Sequence, residues 1–246
     1  MNHSSKNDVW INSFLKYLAK SIADFVAPRH CIVCKNYIDI SMSQFKFICG
    51  KCYDNMPFTD DSNIILNRFH AHFGKNSIIS RACSLISLKD ENDYLNIVYA
   101  LKYNKFTDIV KDIGELLARR IVLESMDDFD LIVPIPIHKV KERERGFNQS
   151  DLIAYAISEY LNIPVRTDVI IRSKYTITQT VLDKNQREVN MKKVFTIPKI
   201  SEIKDKKILI IDDVLTTGAT INSAAAVLTS AGASETGCAT LIAAGI

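Results

Sequence analysis

Residues 208–220 constrain the fold of this chain more than any other segment. Four consecutive apolar residues, 208–211, are followed by Asp212 and Asp213, and then by a turn rich in threonine and glycine that leads into an alanine-rich stretch. A continuous apolar run is typical of a strand that is buried on both faces of a parallel sheet. Ligands of open α/β sheets bind beyond the carboxyl ends of the strands. The segment therefore predicts a strand–turn–helix unit whose turn faces a ligand.

The turn after the two acids has the chemistry of a phosphate-binding loop. Backbone N–H groups at the start of a helix attract anions, and a glycine lets the backbone approach a ligand closely. The two adjacent carboxylates can accept hydrogen bonds from a diol and help to hold a hydrated Mg²⁺ ion. A Walker A loop is excluded because the chain has no Gly-Lys-Ser/Thr sequence, and an ordinary helix cap beside solvated acids is the alternative. The predicted phosphate-binding residues of the turn are Thr216, Thr217, Gly218, Ala219 and Thr220.

The rest of the chain alternates between strand and helix patterns. Apolar runs predict strands at 83–88, 130–135, 168–172, 207–211 and 236–243. Apolar residues at helical spacing predict helices at 9–26, 92–103, 107–124, 150–160 and 220–230. Residues 60–80 lack a clear period and are predicted to form a loop or a short strand. Strands separated by helices indicate an α/β fold in which helices flank a parallel sheet.

Two C-x2-C pairs near the start of the chain predict a metal site. Fourteen residues separate the pairs, and each pair can present two thiolates from one tight turn, so that together they complete a tetrahedron. Four protein ligands leave no open position, which indicates a structural Zn²⁺ rather than a catalytic one. The alternatives are four unrelated buried cysteines or a ligand role for His30, whereas Cys83 and Cys238 are interpreted as core residues. The predicted zinc ligands are Cys31, Cys34, Cys49 and Cys52.

Composition narrows the cellular setting. The chain has 246 residues, of which 47% are hydrophobic, enough for one medium-sized core and a small appendage. The net charge of +3 is too small to indicate a nucleic-acid-binding protein by itself. No secretory signal is visible, and no apolar run approaches the roughly 18 residues that an integral membrane segment needs. A cytoplasmic protein is therefore expected.

Further stretches of the sequence match a known family. Residues 130–138 read Asp-Leu-Ile-Val-Pro-Ile-Pro-Ile-His, and residues 143–149 read Arg-Glu-Arg-Gly-Phe-Asn-Gln. Residues 208–220 resemble the phosphoribosyl pyrophosphate (PRPP) motif of type I phosphoribosyltransferases, and residues 28–244 as a whole resemble the ComF (ComFC-like) competence proteins. Lys141 and Glu142 depart from the family pattern, in which an arginine and a leucine are usual. The last matching stretch is a spaced pattern of Arg172, Thr178, Gln179, Arg187, Asn190 and Phe195.

The resemblance implies a type I phosphoribosyltransferase-like domain at 59–246, preceded by the zinc module at 29–58 and an amphipathic helix at 1–28. It also implies that the domain binds PRPP with Mg²⁺, with Asp212 and Asp213 as the catalytic pair if ribosyl transfer occurs. The implied cellular role is DNA uptake in natural transformation, on the cytoplasmic side of the membrane, with single-stranded DNA and competence proteins as partners. Family membership leaves the enzymatic reaction open.

Basic residues supply candidate contacts to phosphate groups. Fixed cations would stabilise a departing pyrophosphate or contact DNA, and Arg143 and Arg145 are preferred because Gly-Phe-Asn-Gln follows them directly. Lys102 lies on a predicted helix, and Arg187 lies in segment 179–190, which is predicted to form a lid over the site. The alternatives are a solvated surface loop, a surface lysine and a plain loop, respectively. Asn148 and Gln149 can instead cap the next helix. The basic cluster consists of Lys139, Lys141, Arg143 and Arg145.

Three functions stay open at this point. The first is a competence protein that binds PRPP. The second is a phosphoribosyltransferase of salvage or biosynthesis, which would need a hood over its base where this chain carries a zinc module. The third is a non-catalytic nucleotide sensor or a single-stranded nucleic-acid module, for which Tyr99, Tyr103 and Phe106 beside Lys102 and Lys105 would provide a stacking surface. The helical spacing of those aromatic residues favours core-facing side chains instead.

Overall fold

The computed structural model describes residues 29–38, 45–90, 92–103, 109–172 and 194–245. The chain divides into two compact units, an N-terminal one that ends at Asn55 and a C-terminal one that begins at Met56. The boundary predicted from the sequence, after residue 58, stays a prediction. The helix predicted at 9–26 and the lid predicted at 179–190, with Arg187, lie outside the described residues.

Four parallel strands form the sheet of the C-terminal unit. Every neighbouring pair is parallel, with Ala82 opposite Cys238 in one pair and Ile210 opposite Cys238 in the next. A parallel sheet needs crossover connections, and here helices supply them. The α/β fold predicted from the sequence is thereby confirmed. The order across the sheet is β1 (Arg81–Leu88), β6 (Glu235–Ala244), β5 (Lys207–Leu215) and β2 (Leu131–Pro134).

Helices cover both faces of this sheet. On one face, Phe69 of α2 and Leu228 of α7 share a core with Ile208 and Ile210, which alternate along β5 and are fully buried. On the other face, α4 and α6 pack against each other and against the strands. Burial on both faces explains why the strands read as continuous apolar runs. The helices are α2 (Ser62–Phe73), α4 (Ile109–Leu123), α6 (Gln149–Leu161) and α7 (Ala219–Ser230).

Three shorter helices complete the described elements. In the N-terminal unit, α1 (Gly50–Asp54) carries part of the second cysteine pair. In the C-terminal unit, α3 (Leu95–Tyr103) and α5 (Lys139–Arg145) hold basic residues that the sequence analysis singled out. No helix among the described residues combines the length and the apolar character needed to cross a bilayer.

Several local predictions were wrong. Residues 62–73 form helix α2 rather than a loop, and the basic segment 139–145 is helical as well. The strand predicted at 168–172 is reduced to β3 (Ile171–Arg172), which pairs antiparallel with β4 (Phe195–Thr196) outside the parallel sheet. Tyr99 is 54% exposed, so it does not face the core; the side chains of Tyr103 and Phe106 and residue Lys105 lie outside the described part of the chain.

Candidate functional site

The four cysteines of the N-terminal unit lie together. Their Sγ atoms are all within 4.8 Å of one another, and the Sγ atoms of Cys34 and Cys49 are 3.8 Å apart. A tetrahedral zinc ion with Zn–S bonds of about 2.3 Å requires sulfur–sulfur distances of about 3.8 Å. None of the four thiols is in a disulfide. The cluster therefore fits a metal ion, and a zinc ion in particular is compatible with its spacing.

Backbone hydrogen bonds shape this cluster. At the first pair, the N–H of Cys31 donates to the carbonyl of Asn36 (2.7 Å), and the N–H of Lys35 donates to the carbonyl of Cys31 (2.8 Å). At the second pair, the N–H of Cys49 donates to Sγ of Cys31 (3.4 Å). Burial disfavours the Cys31 thiolate, but N–H groups from Cys49, Cys34 and Val33 outweigh burial and lower the pKa of this thiol to about 7. The backbone thus favours the ionised sulfur at Cys31, whereas burial raises the pKa of the Cys49 and Cys52 thiols, which a metal ion would have to deprotonate.

The other cysteines have no such setting. Cys83 and Cys238 lie inside the parallel sheet, and neither is exposed. Burial raises the pKa of Cys83 to about 12, as expected for an inert core thiol. His30 is exposed and is not part of the group of side chains that can share a metal ion among the described residues.

A second candidate site is a cleft in the C-terminal unit, beside the end of β5. Asp212 and Asp213 lie within β5, which runs on to Leu215 instead of ending at residue 211 as predicted. Cations surround the two acids, and hydrophobic side chains of Ile135 and Ile137 close part of the cleft. This acid cleft is also lined by Lys102, His138, Lys141, Arg145, Gln149, Ser150, Arg172 and Thr220.

Hydrogen bonds and an ion pair fix the two carboxylates of the acid cleft. The hydroxyl of Ser150 donates to Oδ1 of Asp212 (3.0 Å), and the N–H of Asp213 donates to the same oxygen (3.0 Å). Nζ of Lys102 lies 2.8 Å from Oδ2 of Asp213. Burial and the neighbouring Asp213 charge raise the pKa of Asp212 to about 7, although the hydrogen bonds and Lys102 oppose this. Lys102 is therefore a cleft residue rather than a surface lysine.

Helix α5 separates the four basic residues that appear as one cluster in the sequence. Lys141 and Arg145 line the acid cleft, whereas Lys139 and Arg143 do not belong to its described lining; of the four, only Arg145 is partly buried. Residues four apart share one side of a helix, and residues two apart point about 200° away from each other. The helical period thus assigns one pair of cations to the cleft and the other pair to solvent.

The predicted phosphate turn leads into α7. Gly218 has φ 78°, and a Cβ at this position would lie 2.6 Å from Cε1 of Phe69. Only glycine combines this backbone conformation with such a close neighbour. Oγ1 of Thr217 accepts a hydrogen bond from the N–H of Ala219 (3.3 Å), and Thr220 reaches the acid cleft. Thr216 and Thr217 are exposed, and Gly218 is buried.

Four polar residues that line the acid cleft were not among the predicted site residues: His138, Gln149, Ser150 and Arg172. Ser150 was taken only as the start of a helix, although it holds Asp212 in place. Gln149 was considered only as a helix cap, a role that Asn148 fills by accepting a hydrogen bond from the N–H of Ser150. Arg172 appeared only in a family pattern; its burial lowers the pKa of its guanidinium, while the nearby Asp212 charge opposes that change. The position of Ser150 in the sequence gives no sign of its contact with Asp212, because the two residues are 62 positions apart.

Comparisons with known proteins agree with this architecture. Residues 149–246 match the family model described as phosphoribosyl transferase domain. Competence protein F of Haemophilus influenzae is 33% identical over 223 residues, which cover 83% of this chain and 93% of that protein. The chain belongs to the ComF family. It is thus a ComF-family competence protein with a phosphoribosyltransferase fold, which confirms both the resemblance and the fold class predicted from the sequence.

Other ComF relatives share shorter parts of the chain. The DNA utilization protein YhgH of Escherichia coli (strain K12) is 28% identical over 141 residues, covering 56% of this chain and 61% of that protein. Competence protein ComFC of Bacillus subtilis (strain 168) is 34% identical over 100 residues, covering 40% of this chain and 38% of that protein.

Proposed function

We propose that this ComF protein binds PRPP with Mg²⁺ in the acid cleft and handles single-stranded DNA during natural transformation, on the cytoplasmic side of the membrane. The observation that carries the proposal is one cleft that holds two adjacent carboxylates, Thr220 from the end of the predicted phosphate turn, and several cations. Each group of PRPP has a chemical counterpart in this set. The names of the relatives, competence protein F and DNA utilization protein, support the cellular part of the proposal.

The two acids are the proposed site of the ribose. A diol donates two hydrogen bonds, and Asp212 and Asp213 offer carboxylate oxygens to accept them. The hydroxyl of Ser150 already fixes one oxygen of Asp212, so the carboxylate is oriented before the ligand arrives. Lys102 neutralises Asp213 and lies where it can exchange that partner for a phosphate oxygen of the ligand. Bound Mg²⁺ would supply charge neutralisation for the pyrophosphate.

Two elements beside this site are the proposed contacts for the phosphate groups of PRPP, the turn at 216–220 and helix α5. The turn at 216–220 presents N–H groups and hydroxyls at the start of α7, which suits the 5′-phosphate. Lys141 and Arg145 on α5 suit the pyrophosphate, because fixed cations stabilise the negative charge that develops as pyrophosphate leaves. Ribosyl transfer would break the bond between C1 and the pyrophosphate oxygen and join C1 to an acceptor.

Ligand-induced stabilisation tests the PRPP site. Millimolar PRPP with Mg²⁺ should raise the melting temperature, since a ligand at 100 times its Kd adds about 2.7 kcal/mol to the free energy of unfolding. Changing Asp212→Asn together with Asp213→Asn should abolish this rise and leave the protein folded. Asp127→Asn, an exposed acid, is the matched control and should respond as wild type does. A normal response of the double variant would refute the assignment of the ribose to the acids.

Pyrophosphate release tests whether binding leads to catalysis. Release on adding a nucleobase would favour the salvage or biosynthetic enzyme, and release on adding DNA would make the nucleic acid the acceptor. Tight binding without release would favour a nucleotide sensor.

The exposed side of α5 is the proposed contact for single-stranded DNA. Lys139 and Arg143 are exposed and lie outside the described lining of the acid cleft, so they stay accessible while Lys141 and Arg145 hold pyrophosphate. Backbone contacts of this kind are independent of sequence and weaken steeply with salt. We expect a Kd of micromolar order, because the net charge is only +3.

Paired substitutions on α5 test whether DNA and PRPP bind to separate surfaces of this helix. Lys139→Ala with Arg143→Ala should weaken the binding of a labelled single strand in fluorescence anisotropy and leave PRPP binding intact. Lys141→Ala with Arg145→Ala should do the reverse. PRPP should not displace the strand. Displacement by PRPP, or loss of both ligands in both variants, would contradict separate surfaces.

A further inference from the structure

Gln149 is a buried polar residue that the proposed ribose and phosphate contacts leave unused. It is 2% exposed, it is the first residue of α6, and it lines the acid cleft. Its Oε1 atom is buried and accepts no hydrogen bond from the protein part that the structure describes. Buried polar atoms without a partner are rare in native proteins, and each calls for a physical explanation.

The start of α6 holds Gln149 firmly in the cleft. Nδ2 of Asn148 donates to the carbonyl of Ile135 (3.0 Å) and to Oδ1 of Asp151 (2.7 Å), and Asn148 is itself buried. On the other side, Ser150 is buried and tied to Asp212. Because both neighbours of Gln149 are fixed, its backbone cannot turn the side chain out to solvent without breaking these contacts.

The surrounding chemistry indicates which kind of group would satisfy this oxygen. Asp212 and Asp213 present further acceptors to the same cleft, and the hydroxyl of Ser150 already donates its hydrogen bond to Asp212. The anionic groups of a ligand have separate partners in Lys141 and Arg145. Gln149 lines the same cleft as the two acids, and its neighbour Ser150 bonds to Asp212, so a ligand group with O–H donors suits these acceptors.

We propose that Oε1 of Gln149 accepts a hydrogen bond from an O–H donor of the bound ligand and so orients that ligand. The donor is either a ribose hydroxyl or a water molecule bound to Mg²⁺, which share this chemistry. The inference rests on the proposed function, in which PRPP and Mg²⁺ occupy the acid cleft. It makes Gln149 a ligand-positioning residue in addition to the two acids.

Two uncharged substitutions with different chemistry test the proposal by calorimetric titration with PRPP and Mg²⁺. Gln149→Met removes the acceptor and should weaken binding about tenfold, the effect of one lost hydrogen bond. Gln149→Asn keeps an amide oxygen without adding a charge to the buried cleft and should bind PRPP more tightly than Gln149→Met. Gln149→Met should melt no more than a few degrees from the wild type, because the oxygen has no partner to lose among the described residues; Gln149→Leu replaces Gln149→Met if that variant does not fold.

Different failures of this experiment have different meanings. Equal affinity of wild type and Gln149→Met would overturn the role of the oxygen while leaving PRPP binding established. Weaker binding by Gln149→Asn than by Gln149→Met would also overturn it, because keeping the amide oxygen would then bring no benefit. If the wild type binds no PRPP, the proposed function fails and the inference falls with it.

A second ligand identifies the donor. Ribose 5-phosphate in EDTA offers the diol and no metal-bound water. A tenfold loss for Gln149→Met with this ligand supports a ribose hydroxyl as the donor. A loss that appears only with PRPP and Mg²⁺ supports a metal-bound water.

Discussion

The cysteine cluster and the acid cleft are built in opposite ways. The cluster takes its four ligands from two short segments, each of which spans four residues of the chain. The cleft draws its lining from residues between Lys102 and Thr220, carried by several helices and strands. A local site needs little surrounding structure but depends on what it binds, whereas a site assembled from distant segments depends on the core that holds those segments together.

The two units differ accordingly in what stabilises them. Among its described residues, 29–38 and 45–55, the N-terminal unit buries few large side chains, including Ile38, Phe45 and Ile48. The predicted zinc module at 29–58 is a segment of about 30 residues, and segments below about 40 residues rarely fold without a metal ion or another cross-link. In the C-terminal unit, β5 alone buries four consecutive residues completely, 208–211. We therefore expect metal loss to unfold the first unit and to leave the second folded.

Removing the metal should have the largest effect. We predict one Zn²⁺ per chain in a metal analysis of the purified protein. Cys49→Ser should abolish it and expose the N-terminal unit to limited proteolysis, because structural zinc supplies on the order of 10 kcal/mol of folding free energy. Cys83→Ala is the matched control, since this thiol is buried in the sheet, and it should keep its zinc. Absence of zinc, or unchanged proteolysis of Cys49→Ser, would contradict the expectation that a metal ion stabilises the N-terminal unit.

A substitution in the predicted phosphate turn should have the next largest effect, because it disturbs the packing of the core. Gly218→Ala places a Cβ against Phe69 at positive φ and should lower the free energy of unfolding by about 2–3 kcal/mol. Gly146→Ala is the control: its φ is 84°, but its Cβ would have no neighbour within 4 Å, so the loss should be about 1 kcal/mol. Urea unfolding measures both. Equal losses would show that Phe69 does not constrain the turn.

The pH dependence of the free energy of unfolding should reveal the raised pKa of Asp212. Burial and Asp213 raise its pKa to about 7, from a usual value of 3.8, so the folded protein keeps a proton that the unfolded chain releases. The free energy of unfolding should therefore fall as pH rises from about 4 to about 7. Asp151, whose burial raises its pKa to about 6, acts in the same direction over the lower part of this range.

Chemical denaturation at several pH values separates the two acids. Asp212→Asn should remove the decrease between pH 6 and 7 and keep the part due to Asp151. An unchanged slope in this variant would mean that the proton resides elsewhere.

The smallest effect should come from an exposed ion pair. Nη2 of Arg119 lies 2.7 Å from Oε1 of Glu115 on α4, where both side chains are about half exposed. Glu115→Gln should lower the free energy of unfolding by no more than about 0.5 kcal/mol, and less in high salt. Thermal unfolding at two salt concentrations measures this. A loss above about 1 kcal/mol would contradict the view that the core, rather than surface charge, stabilises the C-terminal unit.

Local patterns were enough to predict much of this protein. The cysteine spacing predicted a cluster that the structure brings together, because two residues in one tight turn need no other part of the chain to meet. The apolar run at 208–211 predicted a strand for the same reason, since a period of two or an unbroken apolar stretch is a property of the strand itself. Helix α2 was missed because Ile64 is 44% exposed, and an apolar residue on the solvent side blurs the helical period.

Only the tertiary structure decided which polar residues share the acid cleft. Ser150 of α6 donates a hydrogen bond to Asp212, which lies 62 positions later in the chain. Lys102 of α3 forms an ion pair with Asp213. The basic cluster divides in two because residues 139–145 are helical, which their charged sequence did not indicate. The sequence by itself thus determined the sheet fold and the local sites, whose spacing fits within a turn or a strand. The packing of α3, α5 and α6 around β5 determined the cleft, because contacts between distant residues leave no period in the sequence.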